Sequence, residues 1–318
     1  RHDPPALPEL RNTSFRPTSF VVQLVMTNSE SDYELLDFGA GRKLERFGPW
    51  VLDRPAPGID TPLRHPEHWK TATARYSGDR ATQGTWQPAA KGWQETSVTL
   101  SVRLAEDREF KLLLTPLPSG QVGVFWEQFA NWQWIVRQVA KPRAAGLRVL
   151  NLFGYTGAST LAAAVAGAQV THVDSAKSMV ARARENAGIS GLEEAPIRWI
   201  VEDALKFCRR EAQRGNQYDA VILDPPTYGH GPQGESWTIQ RDLLPLLELC
   251  RELTDGKPKF VLLTSHTPGI GPAELSAYLS DGMFGHCGQP PESGRLVSLA
   301  TDGRRLVSGD FARWPGRE

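Results

Sequence analysis

The run Asn151-Leu-Phe-Gly-Tyr-Thr-Gly157, with Asp174 placed 20 residues past Gly154, constrains this chain more than any other feature. Arg148-Val-Leu-Asn-Leu-Phe153 reads as a short, buried parallel strand, and Gly154-Tyr-Thr-Gly157 as a tight turn after it. Ser159 to Ala166 is a helix of small residues, and Gln169-Val-Thr-His-Val173 is a second strand that ends on the acid. In a nucleotide-binding βαβ unit, an acid about 20 residues past the first glycine reaches the ribose hydroxyls. Glycine in the turn is expected to let backbone approach a ligand without a Cβ in the way. The region is therefore predicted to bind an adenosine-containing cofactor.

The turn is Gly-x-x-Gly and lacks the middle glycine of the dinucleotide fingerprint, which seats a pyrophosphate on a helix N-terminus. NAD is accordingly the weaker reading. Further acids follow later strands: Arg198-Trp-Ile-Val201 precedes Glu202-Asp203-Ala204, and Tyr218-Asp-Ala-Val-Ile-Leu223 precedes Asp224-Pro-Pro226. Carboxylates at successive strand ends suit a ligand with an amine, a ribose and an adenine but no phosphate. S-adenosylmethionine is such a ligand.

At 318 residues the chain has room for two domains. From residue 144 to 318 the order βαβαβαβ predicts an α/β fold, a Rossmann-like doubly wound sheet. Phe260-Val-Leu-Leu-Thr264 adds a fifth strand. Gly294 to Ala300 and Arg304 to Ser308, joined at Asp302-Gly303, close the sheet with an antiparallel hairpin. Residues 20–120 read as a small β-rich accessory or substrate domain, with strands at Phe20–Met26, Tyr33–Phe38, Trp50–Leu52, Val98–Leu104 and Phe110–Leu114. Residues 121–143 form a linker strand and helix. Residues 1–19, proline-rich and starting at Arg1, read as a flexible arm, or as the stump of an organelle-targeting segment.

Composition narrows the function classes. A hydrophobic content of 40% is that of a globular protein, and no apolar run approaches the roughly 18 residues of a membrane span. Cys208, Cys250 and Cys287 have no metal-ligand spacing, so neither a metal nor a disulfide framework is expected, and a reducing, cytoplasmic location fits. The 36 basic and 36 acidic residues balance, on either side of residue 140 as well. No basic half advertises nucleic-acid binding, which leaves local patches, such as the Arg42-Lys43 and Arg46 cluster of the β-rich domain, as the route to phosphate contacts with RNA.

Asn151-Leu-Phe-Gly-Tyr-Thr-Gly157, Asp174, Glu202-Asp203-Ala204 and Leu223-Asp-Pro-Pro-Thr-Tyr-Gly229 together resemble the class I S-adenosylmethionine-dependent methyltransferases. The group most resembled is the large-subunit (23S) ribosomal RNA methyltransferases with a small β domain before the catalytic one. Leu44-Glu-Arg-Phe-Gly48, Arg54-Pro55 and Gly123-Val-Phe-Trp-Glu-Gln128 resemble that group's β-domain and linker motifs. The resemblance implies that Phe153, Gly154, Tyr155, Thr156 and Gly157 wrap the methionine end of S-adenosylmethionine. It implies that Asp174 takes the ribose hydroxyls, that Ser175 packs beside the adenine, and that Asp203 and the Ala204 N–H bind its edge. Glu127 and Gln128 would cover the methionine moiety, and Asp224 would lie near the sulfonium and the incoming acceptor.

Family members that methylate carbon 5 of cytosine carry a cysteine nucleophile after the fifth strand. This chain reads Thr264-Ser-His-Thr-Pro-Gly269 there, without cysteine. An RNA acceptor methylated at a nitrogen or other non-C5 position is the leading reading. Asp224 and a rigid proline carbonyl of Pro225-Pro226 would accept from an amine, and Tyr228 would stack on a flipped base. His230 and His266 read as loop or supporting residues rather than general bases. Seven of the ten tryptophans precede residue 137, where they serve either as core or as stacking platforms, with core the preferred reading. Two alternatives stay open: a methyltransferase fold kept as a binding or assembly subunit, and a protein or small-molecule methyltransferase.

Overall fold

The computed structural model describes residues 22–24, 32–78, 84–87, 96–141, 146–231, 233–286, 288 and 290–316. In chain order, β1 (Val22–Leu24) stands apart from a first sheet of β2 (Tyr33–Gly39), β3 (Arg42–Phe47), β4 (Trp50–Pro55), β5 (Ala74–Ser77) and β6 (Thr85–Gln87). The hairpin β7 (Val98–Ala105) and β8 (Arg108–Leu114) leads to α1 (Phe129–Val139). The α/β part follows as β9 (Arg148–Leu152), α2 (Ala158–Val165), β10 (Gln169–Asp174), α3 (Lys177–Ile189), β11 (Ile197–Val201), α4 (Ala204–Gln213) and β12 (Ala220–Leu223). It ends with the ribbon β13 (Tyr228–His230) and β14 (Ser236–Thr238), α5 (Ile239–Leu253), β15 (Phe260–Ser265), α6 (Pro272–Tyr278), β16 (Glu292–Leu299) and β17 (Arg305–Trp314).

The large sheet has the order β1-β16-β17-β15-β12-β9-β10-β11. Its parallel strands run from β15 to β11, and β17 is antiparallel to both β15 and β16, so the sheet closes on the expected hairpin. Alternation along the central strands divides the core. Val221, Leu223, Val261 and Leu263 pack with Phe207, Cys208, Leu243, Leu246 and Cys250 on one face, whereas Ala220, Ile222, Phe260 and Leu262 join the other. The helices supply matching stripes: Ala204, Phe207, Cys208 and Glu211 recur on one side of α4. The chain winds one way from β9 through β10 to β11, then returns to β12 on the opposite side of β9. That reversal opens a crevice outside the C-terminal ends of β9 and β12.

The fold moves one expected strand, keeps the preferred reading of the tryptophans and commits a basic cluster. The strand predicted at Phe20–Met26 is not part of the first sheet; its described portion, β1, lies parallel to β16, with Val22 opposite Gly294. It covers what would otherwise be the open edge of the large sheet. The tryptophans are core: Trp50, Trp86, Trp126, Trp132 and Trp134 are buried, and Trp69 is half-buried, its indole N–H donating to Asp37 Oδ2 at 2.8 Å. Trp93 lies outside the described residues, as do Cys287 and the arm over residues 1–19. Finally, the Arg42-Lys43 and Arg46 cluster is committed inside the first sheet. Arg42 pairs with Asp53, Lys43 with Glu45 at 3.0 Å, and Arg46 with Glu34 at 2.9 Å.

The first sheet is tied to the rest by aromatic packing. Tyr33 stacks on Trp126 at 4.7 Å between centroids, and Trp126 stacks on Phe129 at 5.1 Å. The hairpin is fastened to α3: Asn186 Oδ1 accepts from Leu113 N at 2.8 Å, and Arg182 donates to Leu113 O at 3.1 Å. No helix among the described residues is long and apolar enough to cross a membrane.

Candidate active site

The turn after β9 is made almost entirely by backbone. Gly154 N donates to Val173 O at 3.0 Å, Gly157 N to Gly154 O at 2.9 Å, and Tyr155 N to Asp174 Oδ2 at 2.8 Å. Phe153 and Tyr155 both hold the left-handed conformation, at φ 57° and 50°. Non-glycine residues rarely do so, and such strain gathers at ligand sites. Thr156 Oγ1 ties the turn to the linker by donating to Gly123 O at 2.7 Å, and Asn186 Nδ2 donates to Thr156 O at 2.9 Å.

The glycines of this turn have a different reason from the one expected. A Cβ on Gly154 would stand 2.4 Å from His172 Cε1, and one on Gly157, at φ +92°, would stand 2.9 Å from Ala183 Cβ. They are small because of what lies beneath them in the protein. His172 is fully buried, and its Nδ1 is 2.9 Å from Thr160 Oγ1, which accepts from Asn151 Nδ2 at 2.8 Å. Burial pushes the imidazole pKa down to about 3, so it is neutral filler under the turn. Its only sequence signal is a polar residue two steps before the acid.

Asp174 takes one backbone N–H on each oxygen, from Ala176 and Tyr155, both at 2.8 Å. A carboxylate has about four acceptor positions, so capacity remains on both oxygens. Burial raises the Asp174 pKa, and the two backbone bonds offset that only in part. Ser175 is half-buried beside it. Asp203 caps α4, its Oδ1 accepting from Lys206 N at 3.0 Å, and Ala204 is the buried first residue of that helix. Glu202, its neighbour in the sequence, is paired with Arg210 at 2.5 Å.

Side chains build the second half of the crevice. Thr264 Oγ1 donates to Asp224 Oδ1 at 2.5 Å, and Gln128 Nε2 donates to Asp224 Oδ2 at 3.2 Å. Gln128 is itself buried and accepts from Asn131 Nδ2 at 2.8 Å. Its amide is therefore committed to Asp224, while adjacent Glu127 lines a cleft with Lys43, Arg54 and Phe125. His266 Nδ1 donates to Ser308 O at 2.6 Å, and its Nε2 stands 3.8 Å from Asp224 Oδ1. Phe125 bridges the two halves, with its ring 5.3 Å from Tyr155 and 6.1 Å from His266.

The Asp224-Pro-Pro226 turn is clamped from outside. Trp237 Nε1 donates to Pro226 O at 2.7 Å, and its ring packs on Phe153 at 4.9 Å. That bond occupies the carbonyl of Pro226, the more exposed of the two prolines. Tyr228 is 69% exposed, rare for an aromatic in this structure. His230 is exposed on the same short ribbon. Sequence reasoning missed Thr264, Asn131 and Trp237 as supports of Asp224; each is more than ten residues away along the chain.

The crevice fits a cofactor with a ribose and a charged, polar tail. Besides the spare capacity on Asp174, the Tyr155 hydroxyl is buried with no hydrogen-bond partner among the described residues, and burial pushes its pKa up to about 12. A bound polar group would satisfy it.

Comparison with known proteins agrees with this geometry. A family model for S-adenosylmethionine-dependent methyltransferases matches residues 109–278. A SAM-dependent methyltransferase from Agrobacterium tumefaciens is 36% identical, with a TM-score of 0.82 over 93% of this chain and 94% of that one. A methyltransferase solved with S-adenosylhomocysteine shares the fold at 17% identity and a TM-score of 0.66, over 89% of this chain and 75% of that one. The ribosomal RNA large subunit methyltransferase K/L of Shewanella sp. (strain ANA-3) is 35% identical over 122 residues, or 37% of this chain. The match spans only 17% of that relative's length. The matched region holds the turn, the strand-end acids and Asp224-Pro-Pro226, and the chain belongs to the S-adenosylmethionine-dependent methyltransferase family.

Proposed function

We propose that this methyltransferase acts on RNA, at a nitrogen and not at carbon 5 of a pyrimidine. The observation that carries the reading is Asp224, held by Thr264 and Gln128 at the crevice mouth beside exposed Tyr228. The name of the Shewanella relative supports RNA as the acceptor class. The strand-β15 segment Thr264–Gly269 has no cysteine, and Cys208 and Cys250 are buried between helices, where contact with Cys250 and burial push the Cys208 thiol up. A buried thiol of raised pKa is a poor nucleophile, and Cys250 is as fully buried as Cys208.

S-adenosylmethionine, when bound, supplies an electrophilic methyl group on a sulfonium. The chain's residues do the rest. Phe153 to Gly157 and the Tyr155 hydroxyl would hold the tail, Asp174 would hold the ribose, and Asp203 with the Ala204 N–H would read the adenine edge. Tyr228 offers a ring face to an unstacked base. Asp224 and the Pro225 carbonyl accept the two hydrogens of an exocyclic amine, which aims the nitrogen lone pair into the crevice. As the nitrogen gains the methyl group it gives up a proton, which Asp224 accepts with His266 3.8 Å away. Gln128 and Thr264 keep the carboxylate from turning.

The test is transfer of radiolabelled methyl groups to total RNA and total protein, followed by nucleoside analysis. An N-methylated nucleoside is expected. Label in protein alone, or in 5-methylpyrimidine, would end this reading.

A further inference from the structure

A loop of the first sheet region carries three potential metal ligands that the methyl-transfer site does not use. In Arg64-His-Pro-Glu-His-Trp69, one ligand atom each of His65, Glu67 and His68 lies within 4.8 Å of the other two. His65 Nδ1 and Glu67 Oε1 are 3.4 Å apart. That is long for a hydrogen bond of about 2.7–3.2 Å. It matches the edge of a coordination tetrahedron, about 3.3 Å for metal–ligand bonds near 2.0 Å. His68 Nδ1 is buried with no hydrogen-bond partner among the described residues. The two imidazoles stack at 4.9 Å, so a small tilt of the rings would bring both onto one ion.

The surroundings are those of a supported site. The other nitrogen of His65, Nε2, stands 3.4 Å from Asp302 Oδ2 on the β16–β17 turn. A carboxylate behind the outer nitrogen of a histidine is the usual way to fix a ligand's tautomer and ring plane. Arg304 holds Asp302 at 2.6 Å and also pairs with Asp37. Asp37, fully buried, accepts from His65 N at 3.0 Å and from Trp69 Nε1 at 2.8 Å, which fixes the loop on both sides of the ligands.

We infer that His65, Glu67 and His68 bind a divalent transition metal of the zinc class, with Asp302 orienting His65 and a fourth position left to water. Two imidazoles and one carboxylate are a donor set suited to zinc. The site lies where the first sheet meets the hairpin of the large sheet, so a bound ion would fasten the two together.

The test uses the full chain after chelator treatment, titrated with Zn²⁺ by calorimetry and with Co²⁺ by visible absorption. One equivalent should bind, with the intense d–d bands of a tetrahedral cobalt site. His65→Ala and His68→Ala should each weaken binding at least tenfold, and Asp302→Asn by about 10–100-fold. Unchanged affinity for S-adenosylhomocysteine shows that the variants fold. Glu67→Gln, at an exposed position, carries the test if a histidine variant does not fold. No stoichiometric binding, or equal binding by the His65→Ala/His68→Ala double variant, would show an ion-pair cluster and overturn the inference.

Discussion

The turns after β9 and after β12 stand on the same sheet edge, yet they are built on opposite plans. The first is backbone hydrogen-bonded to backbone and to Asp174, set on a floor of His172 and Ala183 that only glycine can approach. The second is a carboxylate steered by Thr264 and Gln128, under a proline turn clamped by Trp237, with Tyr228 out in solvent. A ligand that does not vary can be met by fixed peptide groups. An acceptor that must enter, be methylated and leave is met by side chains. Substitutions should divide the same way: those at the second turn should strike turnover, and those at the first should strike cofactor affinity and stability.

The largest effect is expected at Asp224. Asp224→Ala removes the acceptor of the substrate's hydrogens and leaves Thr264 and Gln128 without their partner. Turnover should fall by about 10²–10³-fold, the size seen when one preorganised polar group is lost. Binding of S-adenosylhomocysteine should stay within a fewfold of the parent in calorimetry. A large loss of cofactor affinity with turnover per bound cofactor intact would erase the division between the turns.

Asp174→Ala should show the reverse. Charge-assisted hydrogen bonds contribute roughly 1.5–3 kcal/mol each. Cofactor affinity should therefore drop by at least tenfold, while turnover at saturating cofactor changes little. Because burial raises the Asp174 pKa, affinity should also fade on acidification sooner than it would with an ordinary aspartate. A variant that binds as tightly as the parent would mean Asp174 serves only the backbone of the turn.

Much of this arrangement was legible in the sequence because it is local. The βαβ order, the glycine turn and the acids at strand ends each lie within a window of about 20 residues, where periodicity and turn chemistry speak. What was not legible depends on contacts between distant segments. Gln128 reaches Asp224 across 96 positions, and Val22 lies beside Gly294. The basic cluster at Arg42, Lys43 and Arg46 looked available for phosphate until Asp53, Glu45 and Glu34 were brought beside it.

Gly154→Ala gives a smaller effect that tests the floor of the first turn. The new methyl would meet His172, and overpacking of this kind costs about 1–3 kcal/mol. Thermal unfolding should register the loss, and adding His172→Ala should return part of it. A ligand-based reason for the glycine would leave stability unchanged and give no such rescue. His172 also sets a pH dependence. Its folded pKa, about 3, lies below the ordinary value near 6.5, so the unfolded chain binds the extra proton between them. This contribution is complete above about pH 6.5 and is lost as pH falls towards 3, by at most about 1.4 kcal/mol per pH unit. A His172→Gln variant that keeps the parent's acid sensitivity would place its origin elsewhere.

The smallest effect is expected from the cysteines, and it bears on the chemistry of the second turn. Thr264 holds the end of β15 and spends its hydroxyl on Asp224, so that position is occupied by a support and not by a nucleophile. Cys208 and Cys250 face each other across α4 and α5, fully buried. Changing both to alanine removes two small apolar groups from the core and should lower the melting temperature by a few degrees. Changing Cys287 with them should add nothing to the chemistry, because methylation of a nitrogen needs no covalent bond to the base. Turnover of the triple variant should stay within about twofold of the parent below its melting temperature. A folded, cofactor-binding triple variant without activity, or an RNA–protein adduct trapped on the parent chain, would move the reaction to carbon and remove Asp224 from its centre.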